Sequence, residues 1–216
     1  MPRPPHDEVV CVVGAGYVGL VTGVCLAESG RTVHLVEIEP RRLERLSAGR
    51  CPIHEPGLEE MLQRLVAAGR LHVTGDIAVG VRDAGVVMIA VGTPPAEDGE
   101  ADLSQVHEAV ASAAANAGRG AVIAVKSTIP PGTTASMVAS RLAPGFPLVS
   151  CPEFLREGSA IHDFNHPTRI VVGGDDRAAC ERVVALFAHL GAPVIITDST
   201  SSEMVKYGTN TFLALK

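Results

Sequence analysis

One stretch near the start restricts the fold more than any other: Val9-Val10-Cys11-Val12-Val13-Gly14-Ala15-Gly16-Tyr17-Val18-Gly19-Leu20. An unbroken apolar run reads as a strand buried on both faces. It leads straight into a Gly-x-Gly-x-x-Gly loop, and helical periodicity begins at once. A strand, a glycine loop and a helix in that order place backbone N–H groups and the positive end of a helix at one point, where a dinucleotide's pyrophosphate can sit. Gly14 is assigned the tight turn and Gly16 the close approach of phosphate to backbone. Gly19 is assigned the packing of helix on strand. Tyr17 and Val18 fall in the first helical turn and complete the candidate pyrophosphate site.

After this loop Leu20, Val24, Leu26 and Ala27 keep a helical spacing, and Gly30 follows as a stop. Thr32-Val33-His34-Leu35-Val36 is a second strand, ending at Glu37, roughly twenty residues beyond the loop, where the ribose-binding acid of such units stands. A carboxylate there accepts from ribose hydroxyls and repels a 2′-phosphate, which favours NAD over NADP. Arg41 and Arg42 come next, and an arginine in that place can also accommodate a phosphate. They read equally as a solvated helix face.

The rest of the chain repeats the alternation. Strands are expected at 71–74, 86–91, 122–125, 147–150, 169–173 and 193–196. Helices are expected at 43–48, 58–68, 77–81, 103–117 (capped by Asp102), 133–142 and 177–190. A last helix is capped by Ser199 or Thr200. Cys151 to Thr168 reads as a long irregular loop at a strand end. This rhythm implies an α/β, Rossmann-type doubly wound domain with a mostly parallel sheet and helices on both faces. We expect a disordered tail over residues 1–7 and a single NAD-binding domain over 8–198. Residues 199–216 would begin a helix leading to further domains, because Met204, Tyr207, Thr211 and Leu215 carry a helical stripe to Lys216 with no Gly or Pro stop.

Composition closes off other functions. With 216 residues, 46% of them hydrophobic, the chain can bury a full core. The net charge of -6 leaves no basic footprint for nucleic acid or an anionic membrane. Its longest apolar runs are far too short for a membrane span. Five cysteines without paired spacing fit neither a disulfide framework nor a zinc ribbon, so a reducing cytoplasm is expected.

Three groups could carry chemistry. Lys206 and Asn210 lie four apart on the last helix and share a face. Together they could stabilise the negative charge that develops on an alcohol oxygen as hydride leaves. The same pattern also describes an exposed lysine with an unrelated neighbour. Glu153, Phe154, Leu155, Arg156 and Glu157 open the long loop, and their two carboxylates could position or deprotonate a water. A salt-bridged surface turn has the same composition. Cys151 lacks any adjacent base and reads as an inert thiol. His162, Asp163 and His166 have no fourth ligand, and no metal is expected.

Several blocks, in order, resemble the nucleotide-sugar 6-dehydrogenases: Gly14 to Leu20, Cys51-Pro52-Ile53-His54-Glu55-Pro56-Gly57-Leu58 and Val91-Gly92-Thr93-Pro94. They continue with Lys126-Ser127-Thr128-Ile129-Pro130-Pro131-Gly132-Thr133-Thr134, Pro152 to Gly158 and Glu203-Met204-Val205-Lys206-Tyr207. The resemblance runs from Val9 to the last residue and is strongest to the UDP-glucose branch. It implies oxidation of a sugar's C6 alcohol to a carboxylate in two steps with two NAD, by a homodimeric enzyme. It also implies that Glu37, Arg42, Thr93, Thr128 and Glu157 line the cofactor site. Glu153 to Glu157, Lys206 and Asn210 would contact the sugar nucleotide, with Lys206 and Asn210 as the oxyanion clamp and Thr128 and Glu157 holding the water.

The family's chemistry also needs a nucleophilic cysteine in a Gly-Ser-Cys-Phe-Pro-Lys-Asp type motif, and the sequence has none. Cys11, Cys25, Cys51, Cys151 and Cys180 match no such motif. The expectation is therefore an NAD-binding half that is inactive alone. The alternatives are a stand-alone NAD-binding module, the corresponding half of a GDP-mannose or UDP-N-acetylmannosamine dehydrogenase, and a 3-hydroxyacid dehydrogenase.

Overall fold

The computed structural model of the protein describes residues 8–216, so the expected tail, Met1 to Asp7, lies outside the described residues. Eight strands form one sheet: β1 (Val10–Val13), β2 (Val33–Val36), β3 (Leu71–Thr74), β4 (Val86–Ile89), β5 (Val122–Val125), β6 (Leu148–Ser150), β7 (Ile170–Gly173) and β8 (Val194–Thr197). Their spatial order is β3-β2-β1-β4-β5-β6-β7-β8. All neighbours run parallel except β6 and β7, so the last two strands point opposite to the rest. The chain winds outward from β1 to β3 and then returns to β4 on the other side of β1. That reversal opens a crevice at the carboxyl ends of β1 and β4, the position where such sheets bind ligands.

Among the described residues nine helices cover the faces: α1 (Tyr17–Glu28), α2 (Pro40–Ser47), α3 (Leu58–Ala67), α4 (Ile77–Val81), α5 (Ser104–Asn116), α6 (Thr133–Ala139), α7 (Ala160–Asn165), α8 (Arg177–Ala185) and α9 (Ser199–Leu215). Strand alternation explains the two layers. Val10 and Val12 join one buried cluster with residues of α1, α3, α7 and α8, while Cys11 and Val13 join the other with residues of α5 and α6. The doubly wound α/β fold expected from the strand–helix rhythm is the fold observed.

Four local readings need correction. The cap of α9 is Asp198, whose carboxylate accepts from the Ser201 N–H at 2.8 Å, rather than Ser199 or Thr200. An Asp one residue earlier outcompetes the hydroxyls because a carboxylate also complements the helix dipole. Asp102 accepts from Ser104 N at 2.9 Å, but the N-cap position of α5 is Leu103. The long loop contains a helix, α7, which buries Ala160 and Phe164 against the α1 side of the core. Finally, the helix expected at 177–190 stops at Ala185 and continues as a single 3-10 turn at Ala188–Leu190. That break sets Phe187 against Phe164, with ring centroids 5.9 Å apart.

The elements that frame the site are fixed by close contacts. Gly173 faces α9, where a Cβ would collide with the Asp198 carbonyl and Ser202, so the helix can lie directly on β7. Ser202 also meets Ser150 of β6, oxygen to oxygen at 3.1 Å. Among the described residues no helix is long and apolar enough to cross a membrane.

Candidate functional site

The glycine loop closes the crevice from below. Gly14 has φ +97°, a conformation that side chains rarely adopt, and a Cβ there would sit 2.7 Å from the Ala90 carbonyl oxygen of the neighbouring segment. A Cβ on Gly19 would run into the Gly14 carbonyl itself. Gly16 is different: a Cβ there would meet nothing within 4 Å. Its missing side chain leaves open space at the N-terminus of α1, where no side chain caps the helix. An uncapped helix end facing a vacant approach suits the pyrophosphate of a dinucleotide. Tyr17 and Val18 lie half-buried on the first turn.

A cavity of about 350 Å³ extends from this loop along the crevice, lined by Gly14, Gly16, Glu37, Ile38 and Arg42 on one side and by Gly92 and Gln105 on the other. Glu37 is buried at the end of β2. One carboxylate oxygen accepts from Glu39 N at 2.9 Å, and the other lies 4.0 Å from the Arg42 guanidinium. The carboxylate is thereby oriented, with Arg42 partly neutralised beside it. Glu39 caps α2 by accepting from the N–H groups of Arg41 and Arg42, which hold its own carboxyl below the usual range. The residues present fit an adenosine ribose with free hydroxyls.

Farther along the carboxyl edge, Thr93 donates to the Thr128 carbonyl at 3.0 Å, which joins the segments after β4 and β5. Ser127 reinforces that join by donating to the Val91 carbonyl at 2.7 Å. Beyond them lies the acidic segment. Glu153 accepts from Lys206 Nζ at 2.7 Å, an ion pair whose side chains are 10% and 8% exposed. The second Glu153 oxygen accepts from Leu155 N at 2.6 Å. Phe154 stands between two cations, with Arg169 4.4 Å and Lys206 5.7 Å from its ring centroid. A second cavity of about 350 Å³ opens here, bordered by Lys126, Glu153, Phe154, Arg169 and Phe187.

Not every residue singled out in the sequence reaches this point. Arg156 borders the second cavity but is tied up in a two-pronged ion pair with Asp163, at 2.9 and 2.7 Å, which lowers the Asp163 carboxyl. Glu157 and Asn210 are exposed. His162 and His166 stack on each other, 4.6 Å between centroids, and no group of three metal-ligating side chains exists among the described residues. All five cysteines are buried and free. Burial pushes the Cys11 and Cys25 thiols up to about 12 and raises Cys151 as well, against a smaller opposing pull from Lys126. None is disposed to act as a nucleophile.

Two buried carboxylates escaped the sequence reading. Glu55 accepts from the Tyr17 hydroxyl, from Gly158 N at 2.9 Å and from Ile161 N at 3.3 Å. Glu203 accepts from Gly132 N at 2.5 Å and Thr134 N at 2.8 Å, and so caps α6 from another helix. Both stand inside blocks that carry the family resemblance, but their partners are distant in sequence. No spacing rule connects a glutamate to an N–H some seventy to a hundred residues away.

Comparison with known proteins agrees with this geometry. Residues 8–191 match the UDP-glucose/GDP-mannose dehydrogenase family, NAD binding domain. A Bacillus subtilis UDP-glucose 6-dehydrogenase, YwqF, is 41% identical over 96% of the chain and 48% of its own length. A Pseudomonas aeruginosa UDP-glucose 6-dehydrogenase is 42% identical, again over 96% of the chain and 48% of the relative. The chain thus spans about half the length of the curated relatives it matches. Among solved structures, a UDP-glucose dehydrogenase from Pyrobaculum islandicum superposes with a TM-score of 0.91 at 41% identity, covering 100% of the chain and 52% of that protein. A ternary complex of GDP-mannose dehydrogenase from Pseudomonas aeruginosa gives 0.89 at 31%, covering 95% and 50%. The glycine loop, the acid at the end of β2 and the match over residues 8–191 place this chain in the UDP-glucose/GDP-mannose dehydrogenase family, whose NAD-binding domain it carries.

Proposed function

We propose that the chain supplies the cofactor site and half of the sugar site of an NAD-dependent UDP-glucose 6-dehydrogenase. NAD bound along the crevice would accept hydride from the sugar's C6. The chain's own groups would hold the reacting oxygen and govern its proton. Lys206, fixed by Glu153 at the carboxyl edge, is the group best suited to meet the C6 alcohol oxygen. A nearly buried ammonium stabilises the charge that develops on that oxygen far better than a solvated one. Asn210, one turn along α9, would donate a second hydrogen bond. Glu153, already bonded to Lys206, would take the alcohol proton. Thr128 and Glu157 would hold the water that releases the acid product. The observation that carries this reading is the Lys206–Glu153 pair at the sheet edge that also receives the dinucleotide.

Oxidation beyond the aldehyde requires a covalent thiol adduct, and the five buried cysteines do not provide one. With only half of the proposed sugar site in this chain, which spans about half the length of its relatives, the 216 residues should bind NAD but form no NADH from UDP-glucose. The test is an absorbance assay for NADH with chain, NAD and UDP-glucose, beside a Cys151→Ala variant. Sustained turnover by the wild-type chain contradicts the reading. Turnover lost only in the variant would identify Cys151 as the nucleophile instead.

A further inference from the structure

We infer that Glu55 is a positioning residue that locks the loop bearing Glu157 to the dinucleotide loop, so that the two sites are set by one buried carboxylate. This inference rests on the proposed function and extends it to a residue that contacts neither cofactor nor sugar.

Glu55 is 7% exposed, although its neighbours His54, Pro56 and Gly57 are all exposed. A carboxylate drawn inward from a surface loop must be compensated by donors, and here three converge on it. The Tyr17 hydroxyl comes from the first turn of α1, beside Gly16. Gly158 N comes from the residue that follows Glu157, and Ile161 N comes from the first turn of α7. Gly158 N also donates to the Tyr17 hydroxyl at 2.7 Å, so phenol, carboxylate and amide close a triangle. Gly158 has φ +84°, which turns its N–H inward at this place. The N-cap of α7, Ser159, makes no side-chain cap of its own, and Glu55 accepts in its stead.

The consequence is mechanical. Helix α1 presents its N-terminus to the pyrophosphate, while the 157–161 turn carries Glu157 to the site edge. Without Glu55 the apolar packing of α7 on α1 remains, but the polar tie between these two segments is reduced to one hydrogen bond, from Gly158 N to a phenol that has lost its own acceptor. Burial and the bond to Glu55 also push the Tyr17 phenol up to about 12, which keeps it a neutral donor at any working pH. Order in the 157–161 turn and occupancy of the dinucleotide loop should then favour each other, and linkage makes that coupling reciprocal.

The experiment measures amide exchange at Gly158 and Ile161, with and without saturating NAD, in the wild type, Glu55→Gln and Tyr17→Phe. NAD affinity is titrated in parallel. In the wild type we expect NAD to slow exchange at both amides. In Glu55→Gln we expect roughly tenfold faster exchange there without cofactor, weaker NAD binding, and little or no slowing when NAD is saturating. Tyr17→Phe should show the same pattern in smaller measure, and it decides the question if Glu55→Gln does not fold. A Glu55 with a purely structural role would lower the melting temperature yet leave the NAD-dependent slowing intact, and that result overturns the inference. A wild-type chain that binds no NAD overturns the proposed function and the coupling together. Exchange in the free proteins still decides, separately, whether Glu55 holds the turn.

Discussion

The two ends of the site are built in opposite ways. At the dinucleotide end, the three glycines from Gly14 to Gly19 act through backbone geometry, and they are close together in sequence. At the proposed sugar end, the key groups lean on partners elsewhere in the chain: Glu153 on Lys206, and Phe154 on Arg169 and Lys206. A backbone-built site tolerates almost no added atoms but needs few charges. A side-chain-built site depends on each charge keeping its partner, because a nearly buried charge left alone is costly.

The largest expected effect tests that dependence. Lys206→Ala should cost about 3–5 kcal/mol in urea unfolding, because Glu153 is left as an uncompensated carboxylate in a nearly buried position. Changing both residues, with Lys206→Met and Glu153→Gln, should recover most of the loss. If Lys206→Ala costs less than about 1 kcal/mol, as an ordinary surface pair would, the sugar end is not charge-locked and the contrast fails.

Next comes Gly19→Ala, expected to cost about 1–3 kcal/mol because the methyl group would collide with the Gly14 carbonyl and crowd Ala90. NAD binding should suffer beyond the loss of folded protein, since the turn that holds the pyrophosphate would shift. The same substitution at Gly16, where a Cβ meets no protein atom, should leave stability nearly unchanged and impair NAD binding alone. Melting curves and NAD titrations on both variants separate packing from ligand approach.

Glu37→Gln comes third. It removes a charged acceptor of the ribose hydroxyls, worth about 1.5–3 kcal/mol, so NAD affinity should fall roughly tenfold or more. NADP should gain in relative terms, with Arg42 released from its carboxylate neighbour. Unchanged selectivity would mean that Glu37 does not face the ribose.

The smallest effects concern pH, and the two ends should fail in opposite directions. Tyr17, at the dinucleotide end, has its phenol raised from 10 to about 12. The folded protein holds that proton more tightly than the unfolded chain. The associated stability is complete below pH 10 and is lost as pH rises toward 12. Asp163, beside the acidic segment, has a carboxyl lowered below 3.8 by Arg156. Its contribution is complete above 3.8 and is lost as pH falls through the lower, folded value. Tyr17→Phe should flatten the alkaline limb of a stability–pH curve and Arg156→Ala the acid limb, each without touching the other.

The same contrast explains what could be read from the sequence. The positive φ of Gly14, the packing of Gly19 and the buried strand before them follow from residues within ten positions of one another, so pattern rules reach them. The placement of Glu37 needs only one βαβ unit. Glu55 and Glu203 could not be found this way, since their function lies in N–H groups supplied by remote turns. The pairing of Lys206 with Glu153 rather than with a neighbour on its own helix is likewise a product of α9 crossing β6 and β7, which Gly173 permits. Helix α7 is not legible in the sequence because its six residues lie in an irregular stretch between Pro152 and Pro167 and gain their stability from Phe164 packing on Phe187 rather than from propensity.

The central claim is that Gly14, Gly16, Gly19 and Glu37 make this chain an NAD site. A calorimetric titration of the wild-type chain with NAD, and separately with NADP, tests it most directly. The account predicts one NAD per chain, with NADP bound more weakly by roughly tenfold or more on the charge of Glu37. Failure to bind NAD, or equal affinity for the two cofactors, would contradict it.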